Sequence, residues 1–167
     1  MKPPPVALKD VRSCELLLTL DIPPAFEDEN GHMNVRHYLS VFDDAGYPLV
    51  AALGMTPEFH RAHGTGAFDL EHHMHFLNEV RVEDRVSVYG RLVGASSKRI
   101  HYVMFMVNDT RDLLAAVFEC VNSFADLRQR RTAPYPPEVA QAIHEMLARH
   151  QALNWEPPLC GVMSAGG

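Results

Sequence analysis

Three cysteines, Cys14, Cys120 and Cys160, are all that the chain contains, and no two of them form a CxxC unit. A scattered, odd-numbered set builds no disulfide framework and suits a reducing compartment. Long apolar runs are missing as well. The longest, around Pro48 to Met55, is far too short to span a bilayer. The opening Met-Lys-Pro-Pro-Pro-Val-Ala-Leu-Lys-Asp holds no hydrophobic stretch of the signal-peptide kind. A cytoplasmic protein with no membrane partner is therefore expected. Positive charge is in deficit: 15 Lys and Arg stand against 21 Asp and Glu, a formal net charge of -6 at pH 7. That argues against nucleic acid as the main partner, but a few local Lys or Arg residues could still bind an anionic small molecule. Neither a Walker-type glycine loop nor a Rossmann fingerprint occurs, so no ordinary nucleotide cofactor is expected. No internal repeat stands out.

What is present is an ordinary globular balance, 47% hydrophobic and 22% charged over 167 residues, enough for one full core in a single domain spanning 1–167. Residues 1–12 read as an irregular lead-in. Glu15 to Ile22 is short, apolar and closed by Pro23-Pro24, which predicts a first strand. Asn34 is a good N-cap for a helix in which Val35, Tyr38, Leu39, Phe42, Ala45, Leu49 and Leu53 recur every three or four residues. Gly54 would end it, and Pro48 would kink it or stop it early. Residues 55–65 are expected to form a loop with at most one helical turn. Four strands follow, over 66–80, 84–93, 98–107 and 113–124, with short links that favour an antiparallel meander. Pro136-Pro137 opens a second helix reaching Leu147 or just beyond, to about 150, and the tail from Asn154 reads as loosely ordered. A long helix placed before a curved antiparallel sheet can be wrapped by it, an α+β arrangement with a core over about 13–130 and an extra C-terminal helix.

Between the first strand and the long helix lies Asp28-Glu-Asn-Gly-His-Met-Asn34, followed by Val35-Arg-His-Tyr-Leu39. This segment resembles the signature of hot-dog-fold proteins of the 4-hydroxybenzoyl-CoA thioesterase-like superfamily: an Asp, two residues, Gly-His, a hydrophobic residue, Asn, and a Tyr four residues on. The continuation Arg36-His-Tyr-Leu-Ser-Val-Phe-Asp-Asp44 and the segment Glu71-His-His-Met-His-Phe-Leu-Asn-Glu79 are similar to the branch of betainyl-CoA thioesterases of carnitine breakdown. The resemblance runs from about residue 15 to about 135. It implies a hot-dog fold and hydrolysis of a short or polar acyl-CoA, with Asp28 as nucleophile or as general base for water. It also implies a homodimer or dimer of dimers with substrate between two chains. Coenzyme A would enter as part of the substrate, with no further cofactor. Val35 stands where a second Asn often follows in relatives.

The residues themselves are compatible with that chemistry. A thioester needs an attacking carboxylate or a base that aligns water, and donors aimed at the oxygen where charge develops. Free N–H groups after Asn34, at the positive end of the helix dipole, are candidate donors. Gly31 allows a tight turn beside the acyl group, and His32 can order the loop or polarise water. Tyr38 is a candidate for lining the acyl pocket, as are Glu71 and His73 on the next strand. Glu71, His73 and His75 could in principle hold zinc, but a pair two apart on a strand is a weak signal, and no metal is expected. Lys98 and Arg99 at a hairpin, with Arg128, Arg130 and Arg131, are candidates for the phosphates of CoA. For a betainyl group, Tyr38, Phe42 and Glu71 could surround the quaternary ammonium. The competing reading is a non-catalytic hot-dog protein that binds CoA-like ligands or serves in assembly.

Overall fold

The computed structural model describes residues 6–166. Helix α1 (Leu8–Val11) precedes strand β1 (Glu15–Asp21), then a 3-10 turn (Pro24–Phe26), the long helix α2 (Val35–Ala51) and a shorter α3 (Pro57–His63). Strands β2 (Thr65–Phe76), β3 (Arg85–Ala95), β4 (Arg99–Asn108) and β5 (Leu113–Asp126) follow, then the two-residue β6 (Arg131–Thr132) and helix α4 (Pro137–Gln151). Every pairing is antiparallel, in the order β1-β3-β4-β5-β2, with β6 added to the end of β5.

The inner face of this sheet wraps α2, as the sequence reading expects. Tyr38, Val41, Phe42, Ala45 and Leu49 of the helix are buried against Ile100, Tyr102, Met104, Met106, Phe118 and Cys120. Phe42 stacks on Phe118 with ring centroids 5.1 Å apart. The buried stripe is shifted from the expected one. Val35 is 62% exposed and Leu39 43%, because at 100° per residue they fall on the flank that faces the open edge of the sheet. Pro48 neither stops the helix nor ends it early. Gly54, with φ of +85°, closes it instead: its N–H donates to Ala51 and the Met55 N–H to Val50, the Schellman pattern.

Three expectations are corrected at the periphery. The lead-in contains α1, whose Leu8 and Val11 pack on the outer sheet face with Val103, Phe105, Val107 and Val117; the expectation for residues 1–5 lies outside the described residues. The segment after Met55 is a two-turn helix, capped by the Thr56 hydroxyl accepting from the Phe59 N–H. The tail is held down: Trp155 packs on Phe105 and under the Arg91 guanidinium, and the Cys160 N–H donates to Glu119. Composition hid this, since Pro157, Pro158 and the glycines mark an irregular path rather than a free one.

Strand β2 is an open edge and carries a bulge at Leu70. An extra residue shifts the alternation by one, so Asp69 and His72 come to the same, inner side. Their side chains meet at 2.8 Å, and Asp69 also accepts from the Asn122 amide at 2.6 Å.

Candidate functional site

The loop between the 3-10 turn and α2 is built by its own polar residues. Asp28 and His32 close it, the Asp28 N–H donating to the His32 carbonyl, while the Gly31 N–H returns to the Asp28 carbonyl. The Asp28 carboxylate accepts from the Asn30 N–H at 2.8 Å. Gly31 has φ of +75°, a conformation that a side chain would disfavour. Beyond the turn, Met33 is buried, and its N–H donates to Val80 while the Asn34 N–H donates to Phe26. The first bond fastens the loop to the β2–β3 connection and the second to the 3-10 turn, and together they fix where α2 begins.

Asn34 caps that helix through its side-chain oxygen, which accepts from the Arg36 N–H at 3.2 Å. Its carbonyl takes the His37 N–H. Of the amides expected to be free, Val35 N–H is left without a protein partner among the described residues, together with the Asn34 side-chain NH2. The donor supply is thus narrower than the sequence suggested, because the cap itself uses one amide and the first helical turn another.

A cavity of about 350 Å³ opens in front of these groups. Asp28, His32, Asn34, Val35 and Tyr38 line it, closed by Phe76 and Leu77 at the end of β2. The Asp28 side chain is only 10% exposed, and His32 Nδ1 stands 3.5 Å from its carboxylate. The Tyr38 ring meets Phe76 edge-on, and burial pushes its hydroxyl pKa up, so it stays protonated at neutral pH. A partly sheltered carboxylate, two amide donors and a helix N-terminus share one cleft: the parts an acyl transfer to water requires.

The sequence matches the profile of the thioesterase-like superfamily over residues 22–143. The chain belongs to that superfamily. It is 33% identical over 143 residues to a betainyl-CoA thioesterase of Pseudomonas aeruginosa, covering 83% of this chain and 89% of that protein. It is 31% identical over 124 residues to an L-carnitine dehydrogenase/betainyl-CoA thioesterase of Agrobacterium fabrum; this covers 74% of the chain but only 25% of that longer protein. Among solved structures, a Staphylococcus aureus protein in complex with CoA superposes with a TM-score of 0.81 at 20% identity, covering 90% of this chain and 96% of that one. A 1,4-dihydroxy-2-naphthoyl-CoA thioesterase from Synechocystis gives 0.68 at 17% identity, covering 77% and 95%. The fold is the hot-dog fold.

The superfamily motif thus sits in one cleft, but other candidate residues do not join it. Glu71 is exposed on β2, and His73 lies on the outer face with His75, away from both the Asp28 cleft and α2. Lys98 and Arg99 form the tip of the β3–β4 hairpin, where Arg99 pairs with Ser123. The Asp28 end of the sheet is marked by Phe76 opposite Ala116, seven residues back along β5, or roughly 23 Å. Arg128, Arg130 and Arg131 follow β5 at the same far end.

A second cavity, also about 350 Å³, lies between the later turns of α2 and the bulged half of β2. Asp43, Tyr47 and Phe42 face Phe68, Asp69 and Tyr102 across it, with His60 and Asn122 at its margin, and no lysine or arginine lines it. Burial lowers the His60 pKa and raises that of Tyr102 well above the usual tyrosine value, which keeps both groups neutral. Phe42 is the one residue of the ammonium trio suggested from sequence that it contains. Asp43 and Tyr47 fall outside the apolar repeat of α2. A spacing of four residues on one helix flank was the signal available for them.

Proposed function

We propose that the chain is an acyl-CoA thioesterase for a short cationic acyl group, of which betainyl, named for the Pseudomonas aeruginosa relative, is the model. The observation that carries this reading is the sheltered Asp28 carboxylate beside the N-terminus of α2, in one cleft with the Asn34 and Val35 donors. Asp28 attacks the thioester carbonyl, forming an acyl anhydride that water then hydrolyses, or takes a proton from the attacking water; in either case the donors stabilise the developing oxyanion and the CoA thiolate leaves. His32 orients the carboxylate.

The second cavity suits the acyl head. Ring faces and carboxylates hold a quaternary ammonium, which has no N–H to donate. In a betainyl thioester only two bonds separate the nitrogen from the carbonyl carbon. Within one chain Phe76 and Asp69 are seven β2 positions apart, or roughly 23 Å, so one such acyl group cannot reach Asp69 while its carbonyl lies in the Asp28 cleft of the same chain. Two copies joined antiparallel along β2 remove the conflict, since the Phe76 end of one then lies beside the Phe68–Asp69 end of the other. The same pairing brings the basic end, with Lys98, Arg99 and Arg128, toward the Asp28 cleft of its partner, where CoA phosphates need cations.

The test is thiol release from a panel of betainyl-, acetyl-, butyryl- and 4-hydroxybenzoyl-CoA, by wild type and by Asp28→Asn. Betainyl-CoA should be cleaved fastest. The variant should fold normally and lose about 100-fold or more in kcat, the scale of a lost general base or nucleophile. A folded Asp28→Asn protein with full activity would overturn the role of Asp28, and a wild type that binds the panel without cleaving it would overturn the enzyme.

A further inference from the structure

The outer face of the sheet carries a group of side chains that the thioesterase reading leaves unused. Its centre is Glu119 of β5, 1% exposed, on a face whose apolar part includes Val103, Phe105, Val107 and Val117. Among the described residues no lysine or arginine pairs with it. One carboxylate oxygen meets His101 Nε2 at 2.8 Å, and the other accepts from the Cys160 N–H at 2.7 Å. His73 stands directly across on β2. Ligand atoms of His73, Glu119 and Cys160 all lie within 4.8 Å of one another. The ring of His75, two residues further on the same strand face, is 4.5 Å from that of His73.

We propose that His73, Glu119 and Cys160 form a site for a zinc-class divalent cation, with His75 or water in the fourth position. Thiolate sulfur, imidazole nitrogen and carboxylate oxygen are the donors zinc prefers, and in a tetrahedral site they stand roughly 3.3–3.6 Å apart. The contraction from the present spacing falls on an edge-strand histidine and on the Cys160 side chain, whose segment is already placed by the Cys160 N–H and by Trp155. Both can move without disturbing the core. Charge also balances: a thiolate and a carboxylate neutralise a divalent ion, so the buried Glu119 carboxylate gains a full counter-charge beyond its present His101 and Cys160 N–H partners. Binding releases the Cys160 proton to solvent and involves no redox step. The ion would tie the C-terminal tail to β2 on the face away from both cavities.

A second trio, Asp69, His72 and Cys120, does not compete as a metal site. Its thiol is the obstacle: Cys120 is fully buried and burial pushes its pKa far above the ordinary value, whereas Cys160 is partly exposed.

The experiment uses the full chain, stripped with a chelator and titrated with Zn2+ by calorimetry and with Co2+ by absorption spectroscopy. One ion per chain should bind at micromolar or lower concentration, and Co2+ should show the charge-transfer band of a cobalt–thiolate bond together with tetrahedral ligand-field intensity. Cys160→Ser should abolish the charge-transfer band, and His73→Ala should weaken binding at least tenfold, with circular dichroism confirming that both variants fold. Two results would each overturn the site: no stoichiometric binding at these concentrations, or a thiolate band that survives in Cys160→Ser. Ions scattered over surface histidines give binding without that band, which also counts against it.

Discussion

Asp69 shows how one residue can change which neighbours a strand brings together. Strict alternation from His72 puts Asp69 on the outer face, and only the bulge at Leu70 turns it inward to bond His72 and Asn122 and to border the second cavity. Nothing in the local residue types announces the bulge, so this carboxylate was invisible to a period-two reading. The Asp28 loop was legible because its parts are local: a turn glycine, an N-cap and a carboxylate within seven residues. Glu71 and His73 lie outside the Asp28 cleft, since position along a strand does not say which face meets the loop. A discriminating test of Asp69 compares betainyl-CoA with 3,3-dimethylbutyryl-CoA, the same shape with carbon in place of nitrogen. Asp69→Asn should raise KM for the cationic substrate about tenfold, the scale of one partly desolvated charge contact, and leave the neutral one within about twofold of wild type. Equal changes for both substrates would show that Asp69 shapes the fold and does not read charge.

At the scale of elements, one imidazole ties α4 to two strands at once, beside the apolar packing of Val139, Ile143 and Met146 and the Arg149–Glu15 pair. His150 Nδ1 accepts from the Leu92 N–H at 2.8 Å beside the β3 bulge, and Nε2 meets Glu15 of β1 at 2.6 Å. Helix and strand periodicity located both elements. They could not show that a histidine at the end of one would satisfy an amide left open by a bulge in the other. Burial lowers the pKa of His150, and the attraction of Glu15 only partly offsets this. A protonated ring would also turn Nδ1 from acceptor to donor and lose Leu92. Because the unfolded chain takes up the proton more readily, stability is full above the unfolded value of about 6.5 and falls as pH drops from there through the folded pKa. His150→Asn keeps an acceptor near Leu92 but does not titrate. Urea melts at pH 7.5 and pH 5.5 should show the wild type losing more stability on acidification than this variant. Parallel losses would assign the pH dependence to other groups.

For the whole molecule, the unpaired edge of β2 sets the expected assembly. Phe68 is 67% exposed, and Leu70 and Phe76 are also exposed along the same strand, beside Val35, Leu39 and Tyr47 on the flank of α2. An edge strand with exposed apolar side chains and free backbone groups invites another strand, and β2 lacks the lysines and prolines that usually guard such edges. The hydrophobic periodicity of α2 concealed this, since Val35 and Leu39 fit a core stripe as well as they fit an interface. Leu70→Lys places a charge at the bulge, where the side chain is exposed and no core contact is lost. Light scattering should find two copies of the 18.7 kDa chain for wild type, or a pair of such dimers, and one copy for the variant. Activity should fall together with assembly. Separation leaves the Asp28 cleft without the partner's second cavity and basic end, so kcat/KM for betainyl-CoA should drop at least 100-fold while circular dichroism stays unchanged. A monomeric variant that retains wild-type kcat/KM would show that each chain carries a complete site. The second cavity would then need an occupant other than the acyl group cleaved at Asp28.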